Sequence, residues 1–165
     1  MLNIKLVVVG KLKEKFHKEE VNEYLKRLSK YAKVSIIEVE EEKIKDNSSL
    51  KENEQILIKE GNNVLKHIKE NEYLFLLDLH GKEISSEEFA KKINDLPSNN
   101  YSTISFVIGG SLGVSEALRN RSNFKLKLSP MTFTHQMTRI IILEQIFRAF
   151  KINNNETYHN LGEVL

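Results

Sequence analysis

The chain has 165 residues, 40% of them apolar, enough for one domain with a real core. It contains no cysteine, which excludes disulfides, thiolate metal sites and cysteine nucleophiles. The net charge of +2 does not mark a nucleic-acid binder, but the charge is unevenly spread: residues 5–33 carry +5, residues 34–60 carry −4 and residues 101–165 carry +3. Such blocks are ordinarily solvated helix faces; an RNA partner would then be read by shape and assembled context more than by a large positive field.

The N-terminal "NIKLVVV" (3–9) reads as a buried strand. Its apolar run is too short to span a bilayer and has no basic segment ahead of it, so a cytoplasmic protein is expected. "HKEEVNEYLKRLSKY" (17–31) predicts an amphipathic helix with Val21, Tyr24, Leu25 and Leu28 inward, and "KVSIIEV" (33–39) a second strand. The acidic "EEEKIKDN" leads into a helix capped by Ser48 or Ser49, which Gly61 is expected to bend. "YLFLLDL" (73–79) predicts a third strand ending in the turn "HGK". A helix follows, capped by Ser85 or Ser86 with Glu87 and Glu88 in its first turn.

"YSTISFVI" (101–108) predicts a fourth strand, "GVSEALRNR" a short helix and "NFKLKLS" (123–129) a fifth strand. The chain then runs into a long helix, "THQMTRIIILEQIFRAFKI". Regular strand–helix alternation predicts a single α/β domain over residues 1–165, with a mainly parallel sheet and helices on both faces. In such sheets, ligands gather beyond the carboxyl ends of the strands. Three ends carry distinctive sequences: "LLDLHGK", "FVIGGSLG" and "LKLSPMTFTHQ". The glycines of "FVIGGSLG" fit neither nucleotide loop, because GxGxxG needs a spacer after its first glycine and the Walker loop needs Lys then Ser or Thr after its last. The stretch therefore reads as a strand end that something approaches closely, or as a simple turn.

"LSPMTFTHQMTRIIILEQIFRAFKI" is the most specific segment. Pro130 ends the fifth strand's ladder, and Thr132 or Thr134 caps the helix. His135 and Arg139 are four apart and share a helix face. Ile140, Ile141, Ile142, Leu143, Ile146, Phe147 and Phe150 exceed one narrow stripe, so this helix is expected to be buried within the fold or against another subunit.

"VVVGKLKEKF", "FVIGGSLG", this long segment and the late "YH" closely resemble the RlmH family over essentially the whole chain. These are SPOUT-class methyltransferases that modify N3 of a pseudouridine in bacterial 23S ribosomal RNA. The resemblance implies a trefoil knot within residues 101–155, a bound S-adenosylmethionine, no metal, and a homodimer acting on the helix 69 region of assembled ribosomes, with neither membrane nor DNA as partner. It implies donor-binding positions at Leu77, Gly109, Leu128, Ser129, Pro130, Met131, Thr132 and Phe133. His135 and Arg139 become RNA or substrate contacts, while Tyr158 and His159 belong to a tail expected to fold over the active site, with His159 as candidate general base. Thr134 stands where the family carries proline, and Asn160 follows "YH" where a basic residue is usual. The alternatives are a related knotted methyltransferase acting on transfer RNA and a non-catalytic flavodoxin-like binding domain.

Overall fold

The computed structural model describes residues 1–159; the chain beyond His159, where the expected extension falls, lies outside them. The described residues form five strands and five α-helices in alternation: β1 (Leu2–Val9), α1 (Lys15–Leu28), β2 (Ala32–Val39), α2 (Leu50–Leu65), β3 (Tyr73–Lys82), α3 (Ser86–Asp95), β4 (Thr103–Ile108), α4 (Glu116–Arg121), β5 (Phe124–Leu126) and α5 (His135–Asn153). The strands make one sheet in the order β2-β1-β4-β3-β5, with every pairing parallel. This is the expected α/β architecture.

A parallel strand is covered on both faces, which is why β1 and β4 read as continuous apolar runs. Ile4, Leu6 and Val8 face one side with Phe75 and Phe106, under α1, α3 and α5. Val7, Val9, Leu76 and Val107 face the other, with Val64 of α2 and Leu118 of α4. Phe75 and Phe106 stack at 4.9 Å between ring centroids and anchor the first layer.

The helices start where their side chains can receive the orphan N–H groups. Ser49 accepts from Glu52 N, Ser85 forms a capping box with Glu88, Ser115 accepts from Leu118 N, and Thr134 accepts from Met137 N. Gly61 does not end α2; its bare Cα is where Ser115 packs, so close approach explains it.

Two strand boundaries differ from the sequence reading. β3 continues through "HGK" to Lys82, with a register shift against β5 after Leu77, so a predicted turn is a bulge within the strand. β5 stops at Leu126, because the following residues leave the sheet to line a cavity. The apolar excess of α5 is largely absorbed inside the chain. Ile142, Leu143, Ile146 and Phe147 are buried, and the helix packs on α1 and α3.

The order of the strands positions the site. β3 feeds α3 on one face and its neighbour β4 feeds α4 on the other, so the chain diverges between them and opens a crevice at their carboxyl ends.

Candidate active site

The loops beyond β3, β4 and β5 enclose a cavity of about 470 Å³, a size typical of small-molecule sites. β3 supplies Leu77 and Asp78. Asp78 is buried; its Oδ1 accepts from His80 N at 3.0 Å and its Oδ2 from Arg119 Nε at 3.1 Å. Arg119 also borders the cavity, so a carboxylate–guanidinium pair stands in its wall.

The loop after β4 is built by its glycines. Gly113 N donates to Gly110 O at 3.0 Å and closes the turn, with Gly113 at φ +94°. A Cβ on Gly109 would run into the Gly113 carbonyl and come within 2.9 Å of Val114 Cγ1. The first glycine is thus required by space and the last by backbone angle. From the loop after β2, Glu41 Oε1 accepts from Ser111 Oγ at 2.7 Å and from Ser111 N at 3.2 Å, which ties the glycine loop down. Beneath it Glu60, 4% exposed, accepts from Glu42 N at 2.9 Å. Burial raises the Glu60 carboxyl above its usual range; the Glu42 N–H opposes this, and the charges of Glu41 and Glu42 add to it.

The third wall is the chain between β5 and α5. Ser129 Oγ accepts from Met131 N at 3.0 Å, a local turn that leaves Met131 and Phe133 exposed at the rim. His135, the first residue of α5, reaches the cavity while its ring lies against Gly10 at the end of β1. Seven of the eight donor positions implied by the resemblance therefore share this one cavity; Pro130 is exposed and is not part of its wall.

A family described as "Predicted SPOUT methyltransferase" matches residues 2–159. The chain belongs to this family. Proteins of Clostridium botulinum (strain Kyoto / Type A2) and Clostridium acetobutylicum, both named ribosomal RNA large subunit methyltransferase H, are 55% and 53% identical to it, each over 96% of this chain and 99% of the relative. A solved structure described as a probable methylase family protein from Haemophilus influenzae Rd KW20 shares the fold at 13% identity, with a TM-score of 0.51 over 92% of this chain and 68% of the other.

In this SPOUT methyltransferase the remaining sequence-predicted residues lie elsewhere. Arg139 is only 3% exposed; it pairs with Glu38 at 2.9 Å and donates to Gly10 O at 3.4 Å. It therefore braces the β1–α1 loop against α5, and its guanidinium is not presented at the cavity. Tyr158 packs edge-on against Phe147 at 5.0 Å, and its hydroxyl donates to Glu144 at 3.1 Å. His159 lies 3.0 Å from Arg148 and 2.6 Å from Glu87. Phe147 is twelve residues along α5 from His135, about 18 Å at 1.5 Å per residue. Tyr158 and His159 therefore lie along the outer part of α5, away from the cavity. Burial, reinforced by the Glu144 charge, pushes the Tyr158 phenol up to about 12, so it stays neutral at cellular pH.

Among the described residues no cluster of three or more His, Asp or Glu is arranged to hold a metal, and no helix is long and apolar enough to cross a membrane. The sequence reading missed Arg119 and Glu41. Arg119 had a signal in its place on the short helix after the glycines. Glu41 had none, since one glutamate in an acidic run looks like any other.

Proposed function

We propose that this protein is an S-adenosylmethionine-dependent methyltransferase that modifies N3 of a pseudouridine in the helix 69 region of large-subunit ribosomal RNA, on assembled ribosomes. The convergence of seven donor positions on one cavity carries the reading. The rRNA substrate is supported by the names of relatives that match nearly end to end. The trefoil knot belongs to this proposal and is supported by family membership.

The residues fit the donor. Leu77, Leu128 and Phe133 give a flat purine its apolar walls, and the glycine loop at 109–113, which lines the same cavity, can offer main-chain N–H and C=O groups to its edge. Arg119, whose Nε is engaged by Asp78, suits the carboxylate of an amino-acid tail. Bound there, S-adenosylmethionine supplies a methyl group on a sulfonium centre. What is asked of the chain is placement and proton removal. Pseudouridine N3 carries an imide proton; His80 and His135 both line the cavity, and of the two His135 has its ring held against Gly10. Imidazole is the side chain best suited to accepting a proton at cellular pH. We include a homodimer, supported by Met137, 42% exposed beside the half-buried Ile140 and Ile141 on α5. A tail reaching the active site would in that case come from the partner.

The test is transfer of a labelled methyl group to ribosomes purified from cells that lack the modification, followed by digestion and mass analysis of the nucleosides. Label in N3-methylpseudouridine is the expected result. Label in another nucleoside, or equal transfer to protein-free ribosomal RNA, would overturn the substrate assignment.

A further inference from the structure

We propose that residues 11–18, the β1–α1 loop and the first turn of α1, form the surface that receives an RNA strand beside the active site. Lys11, Lys13 and Lys18 would meet phosphates, and Phe16 would stack on an unpaired base. The inference rests on the RNA substrate proposed above and deepens it.

Three observations lead there. Phe16 is 63% exposed, the most exposed aromatic among the described residues. It is not a loose side chain, since its ring sits 4.3 Å from that of His17, tilted by 53°. The surrounding charge is uncompensated. Residues 11–18 contain four lysines and one glutamate; Lys15 reaches Glu19 at 3.7 Å with both side chains largely exposed, a pair worth little. The side chains of Lys11, Lys13 and Lys18 are exposed and have no hydrogen-bond or ion-pair partner among the described residues.

The third observation is location and rigidity. Gly10 N donates to Val39 O at 2.8 Å, Arg139 holds Gly10 O, and Glu38 accepts from Leu12 N at 3.4 Å while paired with Arg139. The base of the loop is thus fixed by a buried guanidinium, so little ordering is lost on binding. Gly10 also touches His135, which lines the cavity. A strand lying along 11–18 would therefore end at the reaction site. Lysines interleaved with an exposed ring are the chemistry of single-stranded nucleic-acid grooves, where the base faces stack and the cations follow the backbone. Protein interfaces, by contrast, are depleted in lysine at their centres.

Phe16→Ala and the triple variant Lys11→Gln/Lys13→Gln/Lys18→Gln would be compared with the wild type in three measurements: methyl transfer to unmodified ribosomes, S-adenosylmethionine binding by calorimetry, and sedimentation. Phe16→Ala is expected to raise the KM for ribosomes about five- to hundredfold, with donor affinity and sedimentation unchanged. The triple variant is expected to flatten the dependence of log affinity on log salt by about two, given roughly 0.7 per single-strand phosphate contact. Unchanged KM and salt slope in both variants would overturn the proposal. So would a shift of Phe16→Ala to a smaller sedimenting species, which would assign the ring to a second copy of the chain. If the wild type transfers no methyl group to ribosomes, it is the substrate reading that fails. Binding of labelled oligouridylate at low salt then decides the surface: loss in both variants supports it, and wild-type binding in both refutes it.

Discussion

Replacing Gly109 with alanine places a methyl group where the Gly113 carbonyl already stands, and within 2.9 Å of Val114 Cγ1. Neither obstacle is the free end of a flexible side chain. The glycine loop must move outward, and it is held by the Gly113–Gly110 turn and by the two hydrogen bonds from Ser111 to Glu41. Overpacking of this kind costs about 1–3 kcal/mol. At about 2–4 °C per kcal/mol for a chain this long, the melting temperature should fall by about 2–12 °C. The displaced loop is also a wall of the cavity, so donor affinity should fall tenfold or more, about 1.4 kcal/mol. Gly113→Ala is the control. Nothing lies within 4 Å of its Cβ, but its φ of +94° is unfavourable for any side chain. It should lose stability through the backbone alone, about 1 kcal/mol, with a smaller effect on the donor. Calorimetric titration with S-adenosylmethionine and thermal melting followed by circular dichroism read both quantities. Wild-type donor affinity and melting in Gly109→Ala would refute the argument that this position is glycine for lack of space.

Glu60→Gln should stabilise the protein near neutral pH. Burial raises the Glu60 pKa above 4.5, so the folded state holds that proton more tightly, and the group's contribution is complete below 4.5 and lost as pH rises through the folded value. Glutamine still accepts from Glu42 N without the charge, so its advantage in chemical denaturation should close as pH falls toward 4.5; an advantage that grows on acidification would contradict this. Tyr158→Phe removes the hydroxyl held by Glu144 and should cost about 1 kcal/mol, leaving donor affinity at the wild-type value. A large loss of donor affinity in that variant would show that the tail reaches the cavity after all.

The alternation of periods was legible because each strand and helix is a local pattern, and the caps at Ser49, Ser85 and Thr134 are local chemistry too. The donor wall was legible only through the resemblance, since Leu77 or Leu128 alone is indistinguishable from core. Depth was the failure. Spacing placed His135 and Arg139 on one helix face, but nothing in the spacing says that Arg139 would be captured by Glu38, 101 positions away. The acidic surplus of residues 34–60 looked like solvated surface, yet Glu38, Glu41 and Glu60 each hold a distant or neighbouring segment. A bond between residues far apart in sequence leaves no mark on the local pattern of either. "HGK" was misread for a related reason: the return of β3 to its neighbour is decided by Leu126, which lies beyond the next helix and strand.

The position of α5 bears on how the chain is made. Its buried residues complete the layer over Ile4, Leu6, Phe75 and Phe106, with α1 and α3 on either side. Those strands emerge first during translation, and β1 cannot gain its second neighbour until residues 103–108 have been made. Even then the centre of that layer stays bare until residues 135–153 arrive. A nascent or prematurely terminated chain would present stacked phenylalanines and a row of aliphatic side chains to solvent, the kind of surface that chaperones bind and that seeds aggregation. Closure of the core thereby waits on α5, the last helix among the described residues, which also delivers His135 to the cavity.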